Sequence, residues 1–82
     1  MPRGLNNWKY TNVINFLKEH GFLFHEHKKG SHEAWIGNIN GVNTIVEVNF
    51  IQGNKSYPPR TIETMIRQST INKKEWKKWY SK

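Results

Sequence analysis

Apolar and polar positions along this chain follow two periods, and the switches between them outline a fold. Val13, Phe16, Leu17 and His20 recur at i, i+3, i+4 and i+7, one stripe of a helical surface. Thr11 or Asn12 precedes the stripe as an N-cap, and Gly21 follows where a left-handed residue ends a helix. From residue 22 the pattern shortens toward alternation. Phe22-Leu23-Phe24-His25-Glu26-His27 is aromatic and roughly alternating, residues 31–39 carry Trp35 and Ile36, and residues 42–48 are β-branched and alternating. Lys28-Lys29-Gly30 reads as a tight turn between the first two segments. Asn40-Gly41 joins the second and third as a type I′ hairpin, whose central residues both need positive φ. The helical period returns after Pro58-Pro59, since proline suits the first helical turn, and continues through Ile62, Met65, Ile66 and Ser69. Asn72-Lys73-Lys74-Glu75 has capping-box spacing for a last short helix. That helix carries Trp76, Trp79 and Tyr80 on one side and Lys73, Lys74, Lys77 and Lys78 on the other.

The predicted order is α-β-β-β-α with a short C-terminal helical extension. This is an α+β class: a three-stranded antiparallel sheet covered on one face by helices, in the manner of double-stranded-RNA-binding domains. No repeat or linker divides the chain, so residues 1–82 read as one domain with its core over about 11–71. Residues 1–10 form a loose arm that Trp8 and Tyr10 can anchor, and 72–82 form the extension. A chain this short buries only about 60–65% of its unfolded surface, so it can hardly spare a tryptophan. Trp35 is therefore expected in the core, the alternative being a base-stacking platform on an open sheet face.

Charge adds a partner. Thirteen Lys and Arg against six acidic residues, all Glu, give a formal net charge of +7. Such a surplus suits a polyanion, although lysine faces are also ordinary solvated surface. The absence of Asp narrows the chemistry, because metal-dependent nucleases gather carboxylates around their cation. Phosphodiester cleavage by this chain is expected to proceed without a metal. With no cysteine there is neither a disulfide framework nor a Cys-type zinc site. No apolar run approaches the ~20 residues of a membrane span. Met1-Pro2-Arg3-Gly4 lacks a secretory h-region, so a soluble cytoplasmic protein with no membrane partner is expected. No nucleophile elbow, P-loop or dinucleotide fingerprint is present, and no cofactor is implied.

Histidine is the remaining acid–base chemistry, at positions 20, 25, 27 and 32. His32 leaves the basic turn Lys28-Lys29-Gly30-Ser31 at the start of a strand. An imidazole there can take or give a proton near neutral pH, and RNA supplies its own nucleophile, the 2′-hydroxyl. Lys28, Lys29, Gly30 and Ser31, with Lys55 and Arg60, are the candidate phosphate-binding residues. Arg60 and Thr61 begin the second long helix, where free backbone N–H groups receive anions. Each has a plainer reading, from an idle strand histidine to ordinary helix-start chemistry. A zinc site of His25, His27 and His32 is a further alternative. His20 ends the first helix on its apolar stripe and is read as structural.

The residues also resemble a family. Asn12-Val13-Ile14-Asn15-Phe16-Leu17-Lys18-Glu19-His20-Gly21-Phe22, Gly30-Ser31-His32, Ile45-Val46-Glu47-Val48 and Pro59-Arg60-Thr61-Ile62-Glu63-Thr64-Met65-Ile66-Arg67-Gln68 are similar, in that order, to motifs of HicA toxins. These are the small RNA-cleaving components of bacterial type II toxin–antitoxin pairs. The resemblance implies an α-β-β-β-α fold, ribosome-independent cleavage of mRNA, and neutralisation by a HicB-type antitoxin, which the +7 charge of this chain leads one to expect acidic at the contact. It also implies that His32, in the Gly-Ser-His motif, is the catalytic residue. Many members carry Pro-x-His after the last strand, where this chain has Glu47-Val48-Asn49; the chain then either lacks that histidine or replaces it with His25 or His27. The rivals are a non-catalytic RNA-binding module of the same shape and a basic protein-interaction domain.

Overall fold

The computed structural model describes residues 5–80 of the chain. Its first helix, α1 (Tyr10–Glu19), starts earlier than the cap expected at Thr11 or Asn12. Lys9 is the N-cap, extended because it bridges to Ser56 while Trp8 O accepts the Tyr57 N–H at 2.8 Å. Asn12 acts from inside the first turn, its Oδ1 accepting the Lys9 N–H at 2.9 Å. The C-terminal end follows the expected pattern. Gly21 takes φ +87°, its N–H reaches Lys18 O, and Phe22 N–H reaches Leu17 O at 2.9 Å. This pairing satisfies carbonyls that a helix end leaves open, and it drops Phe22 into the core.

Three strands follow: β1 (Leu23–His27), β2 (His32–Ile39) and β3 (Val42–Asn49), antiparallel in the order β1-β2-β3. Asn40 and Gly41 both take positive φ at the second hairpin, as a type I′ turn demands. Residues directly opposite one another project to the same side, so the register sorts the faces. Glu33 with Val48, Trp35 with Val46 and Gly37 with Thr44 form the covered face, and all of them are buried. His32 with Asn49, Ala34 with Glu47 and Ile36 with Ile45 form the other. Trp35 is thus core, as its size suggested. Gly37 has a specific duty there, since a Cβ at that position would lie 2.7 Å from the Phe22 ring. A β-bulge between Phe24 and Glu26 lengthens β1, which is exposed along its whole length.

The second long helix, α2 (Pro59–Ser69), carries Pro59 in its first turn and packs against β3 through Ile62, Met65 and Ile66. Thr70 ends it in the left-handed conformation. Ser69 is a buried hub: its Oγ donates to Ile66 O and accepts from the Ile71 N–H and the Trp76 Nε1–H. Asn72 Oδ1 accepts the Lys74 N–H and caps α3 (Lys73–Tyr80). The hydrophobic core extends past residues 11–71 at both ends. Leu5, Trp8 and Trp76 belong to it, and Trp8 lies against Phe16, Trp76, Trp79 and Tyr80 with ring centroids 4.5–6.2 Å apart. The aromatic side of α3 therefore docks on the arm and α1, and its lysines face outward. Among the described residues no helix is long and apolar enough to cross a membrane.

Candidate active site

The uncovered face of the sheet meets α2 along one edge, and the seam is an open groove of about 390 Å³. His32, Glu47 and Asn49 form its floor; Arg60, Thr61, Thr64, Met65 and Gln68 of α2 form its wall. Gln68 holds the two together, because its Oε1 accepts the backbone N–H of Glu47 at 2.9 Å. The wall is therefore tied to the floor by a hydrogen bond as well as by apolar packing beneath it.

His32 stands at the first position of β2, exposed and directly opposite Asn49. The hairpin before it is closed by the Lys28 N–H donating to His32 O at 2.7 Å, with Gly30 at φ +73° inside the loop. Ser31 fastens this loop to β3: its Oγ donates to Asn49 Oδ1 at 2.6 Å and its carbonyl accepts the Phe50 N–H at 2.8 Å. The Lys28 ammonium lies 3.8 Å from Glu47 Oε2. The imidazole therefore sits on a backbone braced from both sides, with a cation, a carboxylate and an arginine around the same opening.

Of the residues expected to act together, His32 and Arg60 share the groove. Lys28 and Ser31 reach it through Glu47 and Asn49. Lys29 and Gly30 lie in the exposed hairpin loop and do not line it. Lys55 lies in an exposed turn, its N–H donating to Gln52 O, and does not line it either. The histidines separate. His27 pairs with Glu33 and so projects to the side opposite His32, while His25 is the extra residue of the bulge. The register thus turns His27 away from His32, and among the described residues no group of three or more His or Glu is placed to hold a metal. His20 caps α1, its Nδ1 2.9 Å from Phe16 O and its ring 4.2 Å from that of Phe16, a structural position. Comparison with protein-family models, curated proteins and solved structures returns no significant match. The geometry stands alone.

Beneath the groove lies a polar layer that the sequence reading missed. Glu33, buried on the covered face, accepts hydrogen bonds from the Tyr10 hydroxyl at 2.8 Å and the Trp35 indole at 3.0 Å. The Tyr57 hydroxyl donates to Asn49 O. Burial, then the hydrogen bond and charge of Glu33, raise the Tyr10 phenol well above its ordinary range. Burial, then the charges of Tyr10 and Glu33, do the same for Tyr57. Both stay neutral donors, and Tyr57 steadies the strand end that carries Asn49. Glu47, Asn49 and Gln68 were likewise passed over as site residues. Strand alternation puts Glu47 and Asn49 on the side of His32, but only the strand pairing and the docking of α2 bring all three to one opening.

Proposed function

We infer that this chain is a metal-independent endoribonuclease that cleaves mRNA, the toxin of a type II toxin–antitoxin pair of HicA type. One observation carries the reading: His32, from the segment Gly30-Ser31-His32, and Arg60 with Thr61, from the helix start at Pro59, two separated segments that resemble the family, line the same groove. The imidazole of His32 then either takes the proton from a ribose 2′-hydroxyl or gives one to the departing 5′-oxygen. Arg60 on the opposite wall neutralises the charge that builds on the phosphoryl oxygens. The net charge of +7 draws the RNA backbone toward the groove. The same charge suits an acidic antitoxin of HicB type, which would close the site by pairing its cations. The cytoplasm, where transcripts are, is the expected place of action.

The test is incubation of the purified chain with single-stranded RNA and with DNA of the same sequence, in EDTA. Cleavage of the RNA alone, leaving a cyclic 2′,3′-phosphate on the upstream fragment, is the expected result. Fragments with 5′-phosphate ends, or strict dependence on Mg²⁺, would overturn the mechanism. Salt-dependent RNA binding with no scission would instead identify a non-catalytic RNA-binding module.

A further inference from the structure

Cleavage through the 2′-hydroxyl needs two proton transfers at opposite ends of the phosphorus, and one imidazole cannot stand at both ends at once. The groove holds a second acid–base group. Glu47 projects from the same sheet face as His32, one alternation along β3 from Asn49, the residue opposite His32. Diagonal positions of this kind lie roughly 7–8 Å apart, near enough for two side chains to grip one phosphodiester from either side. The backbone of Glu47 is tied to the groove wall, and its carboxylate has a cation beside it. Gln68 takes its backbone N–H at 2.9 Å, and the Lys28 ammonium sits 3.8 Å from its carboxylate. It remains half exposed and lines the groove.

We propose that Glu47 is the general base of the reaction and His32 its general acid. This rests on the endoribonuclease reading above and divides its two proton transfers between two named side chains. The Glu47 carboxylate takes the proton from the 2′-hydroxyl as the O2′–P bond forms. The P–O5′ bond breaks, and the imidazolium of His32 delivers its proton to the leaving 5′-oxygen. The products are a 2′,3′-cyclic phosphate and a free 5′-hydroxyl, with Glu47 protonated and His32 neutral until solvent restores them. Arg60 from α2 and Lys28 from the hairpin face the reacting phosphate. Glu26, opposite Ala34 on β1, is the other carboxylate on this face, separated from Glu47 by the width of β2.

The experiment uses the full chain and an oligoribonucleotide, with the scission site mapped on the wild-type protein. A second oligoribonucleotide carries sulfur in place of the 5′-bridging oxygen at that site, because a thiolate leaves without needing a proton. His32→Ala should lose about 10²- to 10⁴-fold on the oxygen substrate and regain most of it on the sulfur substrate. Glu47→Gln should lose a comparable factor on both. Glu47→Gln cleaving at the wild-type rate, or being rescued by sulfur, would overturn the assignment while leaving the ribonuclease reading intact. A wild-type chain that cuts neither substrate would remove both. Unchanged thermal midpoints in the variants would keep the outcome a statement about chemistry, and both residues are exposed enough for that to be expected.

Discussion

The two faces of the sheet are made by the same strands and share almost nothing else. On the covered side, Trp35, Val46 and Val48 are buried under the helices, and Glu33 survives there only by taking two hydrogen bonds. On the uncovered side, His32, Glu47 and Ile45 are exposed, and the apolar row Leu23, Ile36 and Ile45 crosses all three strands with its two outer members exposed and Ile36 half-buried. The difference is one step of strand alternation. A slip of a single residue in β2 would bury the imidazole and expose Trp35, so the packing of one face dictates the chemistry of the other. Stability and the proposed activity should therefore separate by position along one strand, which gives the comparison sharp tests.

The largest expected effect belongs to the uncovered face. His32→Ala should reduce RNA cleavage by about 10²- to 10⁴-fold with circular dichroism and thermal midpoint unchanged. Loss of fold in that variant would blur the two faces into one. The opposite pattern is expected of the core: Trp76→Ala removes a fully buried ring and the Nε1–H that reaches Ser69. A loss of about 3–5 kcal/mol in urea unfolding is expected from so large a truncation. Gly37→Ala is subtler, forcing a methyl into the Phe22 ring at a cost of about 1–3 kcal/mol by the same measurement.

Alkaline pH probes the layer between the faces. Tyr57 is harder to ionise folded than unfolded, so above its unfolded value the unfolded chain sheds the proton first. Stability is full below that value and falls as pH rises past it. Urea midpoints compared at about pH 9 and about pH 11 should show the fall, and Tyr57→Phe should make it shallower. The smallest effect is expected at Ile45, 53% exposed on the uncovered face. Ile45→Thr should shift stability by no more than about 0.5 kcal/mol, and a larger shift would mean that this face packs against something.

What could be read from the chain beforehand follows a physical division. The α1 stripe, the Asn40-Gly41 turn and the α2 stripe were legible because each depends on residues adjacent in sequence. The start of α1 was not, because Lys9 is held extended by Ser56, a residue from the far side of the sheet in sequence. Trp8 was recognised as an anchor, but its complete burial depends on α3 folding back over it. In the groove, His32 and Arg60 announced themselves by chemistry and by resemblance. Glu47 and Gln68 did not, since an ordinary strand glutamate becomes a groove residue only once α2 docks beside it. The side that His27 takes was not legible either, since the bulge around His25 sets it opposite Glu33 rather than His32.

The hydrogen bond from the Glu47 N–H to Gln68 has a consequence outside the groove. An outermost strand offers its amides and carbonyls to any passing extended segment, which is how ribbons grow from molecule to molecule. On the β3 margin a glutamine from α2 occupies one such amide, so a foreign strand meets a plugged position and the bulk of a helix. On the opposite margin the bulge at His25 and the charge of Glu26 spoil the flat, apolar ledge that polymerisation favours. A small protein with both flanks guarded in this way should resist self-association into fibrils even when it accumulates in the cell.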